Sequence, residues 1–376
     1  LPTVVIKVGS STITTPDGLN GKALMRLAGA ISDLAERDWR TVVVTSGAVG
    51  AGRARLGMNG KPRAIAQKQA AAAVGQGLLM HAYETFLAPL GLTSAQLLLT
   101  RSDLADRQRY LNASNTLRAL LDQDVRVVPI INENDSVAVD ELKFGDNDTL
   151  SALVAQLVEA SWLAILSDVD GLYDANPHKV PEASLIPEVP ELTPEIEALA
   201  GGAGSDVGTG GMVTKLSAAR IATAAGIPMA LMSGRDPGQL IALVEGRSVH
   251  GTVFRARADR LEARKRWLAF GMAVKGAIAL DPGAVRALTT QGKSLLPAGV
   301  SGVEGDFAAG ETVAVTDGAG REVARGITNF SAQELRQIMG HRTTEIEELL
   351  GYKPADEVMH RDNLAITDSS KGLATP

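Results

Sequence analysis

Cysteine is absent from all 376 residues. Disulfides, thiolate nucleophiles and cysteine-held metals are thereby excluded together, and a reducing, cytoplasmic setting is expected. Histidine is scarce: His81, His178, His250, His341 and His360 stand apart in sequence, without H-x-x-x-H or H-x-x-E-H spacing. Histidine-based metal catalysis therefore has little support. No apolar run approaches the roughly 18 residues of a membrane span. Leu1-Pro2-Thr3-Val4-Val5 enters a strand pattern directly, with no basic segment ahead of it, so no signal peptide is expected; the missing Met points to trimming or editing of this end. Chemistry is left to Lys, Asp, Asn, Ser and Gly.

What is present is the composition of a soluble globular protein, 45% apolar and 21% charged. A net charge of −6 gives no general attraction to nucleic acid or to acidic membranes. The length suits two domains, since one core rarely grows much beyond roughly 250–300 residues.

Strand and helix patterns alternate through residues 1–250, which predicts a mainly parallel sheet covered on both faces, an α/β fold of the αβα sandwich type. Predicted strands are Val4–Val8, Thr41–Thr45, Leu97–Thr100, Val125–Ile131, Trp162–Leu166 and Ile227–Met232. Predicted helices include 22–37, an Ala-rich pair at 66–74 and 78–87, 106–121, a segment from Leu150 onward, and 216–225. Lys7 lies inside the first strand, ahead of Gly9-Ser10-Ser11. It either reaches a solvated face or is a charge held at the ligand edge of the sheet. Ser46-Gly47-Ala48-Val49-Gly50-Ala51-Gly52 follows the second strand and reads as a tight strand–helix turn or as backbone brought close to a ligand.

The densest polar stretch is 130–152. It runs from an apolar strand into Asn132, Glu133, Asn134 and Asp135, crosses a loop to Gly145-Asp146-Asn147-Asp148, and enters a helix marked by Leu150, Leu153, Val154, Leu157 and Val158. Open α/β sheets place ligands at such strand ends. Asn147 and Asp148 are also good helix caps, and Asn132 and Asn134 good turn formers, so both uses stay open. Ser167-Asp168-Val169-Asp170-Gly171 ends another strand; it lacks the later ligands of a calcium loop. Residues 201–215 are glycine-dense and end on Lys215 at a helix start, matching neither a Walker loop nor a dinucleotide fingerprint. They serve as an anion site or as a spacer.

Two lysines on separate loops, glycine amides and a few acids are the parts that phosphoryl transfer needs, because that reaction runs on positioning and charge stabilisation. No base stands out. A carboxylate acceptor would need none, being ionised at neutral pH.

From Arg255 to Arg266, six basic residues face two acids, marking a domain boundary with a basic linker. Beyond it, short strands (277–280, 312–315, 322–328) and an Asp317-Gly318 hairpin signal indicate a small β-rich domain at 272–352 with two short helices. A polar tail, 353–376, is expected to be poorly ordered.

Ile6-Lys7-Val8-Gly9-Ser10-Ser11, Val44-Thr45-Ser46-Gly47-Ala48-Val49, Ile131-Asn132-Glu133-Asn134-Asp135-Ser136-Val137, Gly145 to Ala152 and Gly208 to Lys215 occur in this order and spacing. With Gly171-Leu172-Tyr173 and Lys265-Arg266-Trp267, they make the chain resemble the glutamate 5-kinases, a branch of the amino acid kinase (carbamate kinase-like) family carrying a C-terminal PUA domain. The resemblance covers residues 4–362.

It implies a kinase domain at 1–254, a linker at 255–271 and a PUA-like domain at 272–352. It also implies transfer of phosphate from Mg-ATP to the γ-carboxylate of L-glutamate, the first step of proline biosynthesis. By the same resemblance Lys7 and Lys215 flank the transferred group and Asp148 holds them. Ser46, Asp135 and Asn147 bind glutamate, with Asp135 facing the ammonium. Lys7, Ser167, Asp168 and Thr209-Gly210-Gly211-Met212-Val213-Thr214-Lys215 contact the nucleotide. Magnesium comes with ATP, and no residue is assigned as a metal ligand. Feedback inhibition by proline and a homo-oligomer, dimer or tetramer, are implied too.

The rival readings are another phosphotransferase of the family, acting on aspartate, N-acetylglutamate or UMP, and an RNA-binding PUA protein. Over 272–352 seven basic residues oppose ten acids, which argues against RNA.

Overall fold

The computed structural model of the chain describes residues 1–58, 60, 64–100, 103–104, 106–137, 147–177, 180–200, 211–256 and 274–367. The chain divides into two compact units, Leu1–Arg257 and Ala258–Pro376.

Among the described residues the first unit's main sheet has eight strands: β1 (Thr3–Val8), β2 (Arg40–Thr45), β3 (Thr93–Leu99), β4 (Val127–Glu133), β5 (Trp162–Ser167), β6 (Glu188–Val189), β7 (Met229–Ser233) and β8 (Gly251–Phe254). They lie in the order β6-β8-β7-β5-β1-β2-β4-β3. Every neighbouring pair is parallel except β7 with β8. Its principal helices are α1 (Gly21–Ala35), α2 (Ala48–Arg55), α3 (Ile65–Leu87), α4 (Arg107–Leu121), α5 (Asn147–Leu157) and α6 (Met212–Ala224).

The period-2 alternation of β1 decides what each face meets. Val4, Ile6 and Val8 join Leu24, Leu27 and Ile31 of α1 and Leu79, Tyr83 and Leu87 of α3 in one core. Val5, with Val42 and Val44 of β2, joins Leu150 and Val154 of α5 and Leu216 and Ala219 of α6 in the other. Two faces covered by helices make the αβα sandwich that the alternating pattern predicts. Lys7 shares the parity of Val5, so it falls on the face that α5 and α6 cover.

Several elements of this unit differ from the sequence reading, β3 starting at Thr93 instead of Leu97 and α6 at Met212 instead of Leu216. The strand expected at 125–131 is shifted to Val127–Glu133, leaving Val125 61% exposed and drawing Asn132 and Glu133 into the sheet as buried residues. The paired Ala-rich segments form one helix, α3, because Gly75 and Gly77 do not interrupt it.

The second unit holds β9 (Gly276–Leu280), β10 (Val300–Gly305), β11 (Thr312–Thr316), β12 (Glu322–Ile327) and β13 (Leu364–Ile366), ordered β10-β9-β11-β12-β13. Helices α7 (Pro282–Gln291) and α8 (Ala332–Ile338) are each capped, by Asp281 and by a Ser331–Glu334 capping box. The hairpin at 317 is present, but the residue in left-handed backbone is Gly320, φ 77°, and not Gly318. The expected tail at 353–376 is corrected as far as Ile366. Val358 and Met359 are fully buried in the core of the second unit, and β13 pairs antiparallel with β12. The apolar pattern of those few residues was masked by the charges around them.

Among the described residues no helix is long and apolar enough to cross a membrane.

Candidate active site

Strand register assembles the site. Lys7 pairs with Val44 on one side and Ile165 on the other. Beyond these pairs, Gly9 donates its N–H to the Leu166 carbonyl at 3.3 Å, and Ser46 donates its own to the Val8 carbonyl at 3.1 Å. Ser167, Gly9, Ser46 and the Asn132-Glu133 end of β4 thus form one row at the C-terminal edge of the sheet, where open α/β folds bind ligands.

At the centre is a buried carboxylate. Asp148, in the first turn of α5, is fully buried, with Lys7 and Lys215 only 6% and 4% exposed. Lys7 Nζ lies 2.5 Å from Asp148 Oδ1 and Lys215 Nζ lies 3.3 Å from Oδ2. Thr214 donates its hydroxyl to the same Oδ2 at 2.9 Å. Burial pushes the Asp148 carboxyl upward, but Lys7, Lys215 and the Thr214 hydrogen bond outweigh it and hold the group below the ordinary carboxylate range. Two ammoniums on one carboxylate leave these three side chains with a net charge of +1. Lys215 also stands in the first turn of α6, whose dipole has its positive end there. Both features favour an anion.

A second cluster adjoins the first through the Asn147–Asp148 peptide. Asn147 Nδ2 donates to the Thr45 carbonyl at 2.7 Å, to Ser46 Oγ at 2.8 Å and to Asn132 Oδ1 at 3.0 Å. Asn132 Nδ2 donates in turn to Gln76 Oε1 of α3 at 2.9 Å. Asp135, Asn134 and Glu133 line a cavity of about 340 Å³ together with Gln76. On the other side of β1, the Ser167 hydroxyl donates to the exposed Asp168 carboxylate at 3.0 Å.

The sequence-predicted residues therefore fall into three neighbouring groups. Lys7, Asp148, Thr214 and Lys215 form the charged centre, Ser46 and Asn147 are in direct contact, and Asp135 lines the cavity linked to them through Asn132 and Gln76. Ser167 and Asp168 lie beyond β1. Gly211 precedes α6, and Met212 and Val213 stand in its first turn, because the helix starts four residues before the expected Leu216. Val213 is 60% exposed. Thr209 and Gly210 lie outside the described residues. Asn134 does what a turn residue does: its N–H bonds the Leu99 carbonyl, and its Oδ1 accepts from Ser136 Oγ at 2.6 Å. Gln76 carried no signal in the sequence; only the packing of α3 against the site shows it.

Among the described residues no three His, Asp or Glu side chains gather as a metal site.

The model of the amino acid kinase family matches residues 2–233, and that of the PUA domain residues 276–350. Glutamate 5-kinase of Moorella thermoacetica is 55% identical over 96% of this chain and 96% of its own. The chain belongs to the glutamate 5-kinase family. The Geobacter sulfurreducens member is 51% identical over 96% of this chain and 97% of its own, and a Synechococcus member 50% identical over 97% and 98%. The family assignment covers both units, so the β-rich second unit is the PUA domain of a glutamate 5-kinase chain.

Proposed function

We propose that this chain transfers the γ-phosphoryl group of Mg-ATP to the γ-carboxylate of L-glutamate, giving L-glutamyl 5-phosphate and ADP, the first step of proline biosynthesis. The observation that carries the reading is the buried Lys7–Asp148–Lys215 cluster at the ligand edge of a glutamate 5-kinase family chain. Lys7 and Lys215 offset the negative charge that develops on the transferred group, and Asp148 limits their repulsion and fixes both ammoniums. Asp148 itself is no base, since its two oxygens are engaged by cations. None is needed, because a glutamate side chain with a pKa of about 4.3 attacks already ionised. Ser46, Asn147 and Asp135 hold the amino acid. Ser167, Asp168 and the 209–215 segment hold the nucleotide.

Magnesium accompanies the nucleotide. With Asp148 engaged by ammoniums, the ion would be held by phosphate oxygens and water, which would suit its hard, strongly hydrated character.

With Mg-ATP and L-glutamate the protein is expected to release ADP, and hydroxylamine is expected to trap the acyl phosphate as the hydroxamate. Turnover of aspartate, N-acetylglutamate or UMP with none of glutamate overturns the reading. The same reading carries proline as a feedback inhibitor and a cytoplasmic homo-oligomer. Initial rates unmoved by proline, or a monomer in light scattering, remove those two parts separately.

A further inference from the structure

The amide chain that starts beside Asp148 ends on a donor that finds no acceptor among the described residues. Its orientation is fixed by groups that have only one role. The Glu133 backbone N–H can only donate, so the Asn132 atom it meets at 2.9 Å is an oxygen. The Thr45 carbonyl can only accept, so the Asn147 atom 2.7 Å away is the nitrogen, and it donates to that same Asn132 oxygen. The other Asn132 atom is then a nitrogen, and it donates to the Gln76 oxygen. What remains on Gln76 is Nε2, buried and, among the described residues, without a hydrogen bond. A buried amide donor at the end of a satisfied chain is costly to leave unmade, and in a low-dielectric wall it gains most from an anionic oxygen.

Gln76 lines the 340 Å³ cavity with Met80, Gln96, Glu133, Asn134 and Asp135. That volume is at the small end of ligand sites, about 300–1,000 Å³. Its two acids suit an ammonium group but repel a carboxylate, so an amino acid seated there needs a donor for its own carboxylate.

We propose that Gln76 is that donor, a specificity contact that binds the α-carboxylate of the acceptor amino acid through Nε2. The inference rests on glutamate being the acceptor. The γ-carboxylate has to reach Lys7 and Lys215 at Asp148. Asn147 is the chain neighbour of Asp148, and Gln76 lies two hydrogen bonds further on, so it serves the carboxylate that is not phosphorylated.

Gln76→Glu keeps an oxygen for Asn132 and replaces the donor by a second oxygen. Initial rates are measured against glutamate at saturating Mg-ATP, and against ATP at saturating glutamate. The KM for glutamate is expected to rise about 10- to 100-fold, the size of one hydrogen bond to a charged group. The KM for ATP is expected to stay within about twofold of wild type, as befits a contact confined to the acceptor. An unchanged glutamate KM, or parallel rises in both KM values, overturns the assignment. If Gln76→Glu does not fold, Gln76→Met is read by the same two criteria. Failure of the wild-type enzyme to use glutamate sinks the proposed function instead, and is told apart because it appears before any substitution is made.

Discussion

With Met in place of Lys215, kcat is expected to fall about 10²–10³-fold, the usual cost of removing one preorganised charge-stabilising group from a phosphoryl- or acyl-transfer site. Lys7→Met is expected to behave alike. Thermal unfolding of both variants should stay close to wild type, and charge counting gives the reason. Lys7, Lys215 and Asp148 together carry +1 in a buried place. Removing either lysine leaves one ammonium on one carboxylate, with Thr214 still bonded to Oδ2, a neutral pair that is cheaper to bury than the original triad. Asp148→Asn does the opposite. It leaves two buried ammoniums facing a neutral amide, a loss of about 3–5 kcal/mol if it matches other broken buried pairs. Saturating kcat together with thermal melts on the three variants separates the two effects. Near-normal turnover in a lysine variant removes its assigned role; a large loss of stability there means that the charge count is wrong.

The sequence carried the charged centre and missed part of its surroundings, for identifiable reasons. A lysine inside an apolar strand is conspicuous, and strand parity then assigns it to the Val5 face, yet only the register and the packing of α5 and α6 show that this face meets Asp148 and Lys215. Asn147 and Asp148 read in the sequence as caps or as site residues; the structure gives the Asn147 side chain three acceptors, on β2, on the turn that follows it and on β4. In the sequence Asn132 suits a turn or a site equally, because the apolar run ends at Ile131. Two more residues of pairing with β3, Leu98 to Asn132 and Leu99 to Glu133, put it in the sheet. Periodicity cannot see this, since a polar residue ends an apolar run whether or not the ladder continues. Gln76 is invisible in the sequence because it is one of three glutamines on an Ala-rich helix, where a glutamine looks solvated. The strand at Leu364–Ile366 was hidden by its polar neighbours, and three residues are too few for a pattern.

The glycines after β2 illustrate the same point and carry the second large effect. Read as ligand-approach or turn residues, they divide by function. Gly47 takes a left-handed φ of 99° at the turn into α2, whereas Gly52 faces α3. A Cβ on Gly52 would lie 1.8 Å from the Ala71 carbonyl oxygen, and one on Gly75 would lie 1.7 Å from the Ala48 carbonyl oxygen. The two helices therefore touch backbone to backbone, each glycine filling the space that the other leaves. No rotamer relieves such a clash, because both partners are main chain. Gly52→Ala has to push α2 off α3, and α2 carries the loop that places Ser46. The expected cost is at or above the upper end of ordinary overpacking, about 3 kcal/mol. Gly29→Ala on α1 is the matched control: among the described residues its Cβ meets nothing within 4 Å and its backbone is helical, so the change is expected to stabilise by about 0.4–1 kcal/mol through the unfolded chain. Urea unfolding of the two variants tests the contrast by its sign. A Gly52→Ala protein as stable as wild type would mean that α2 and α3 are not in backbone contact, and the placement of Ser46 against Asn147 would fall with it.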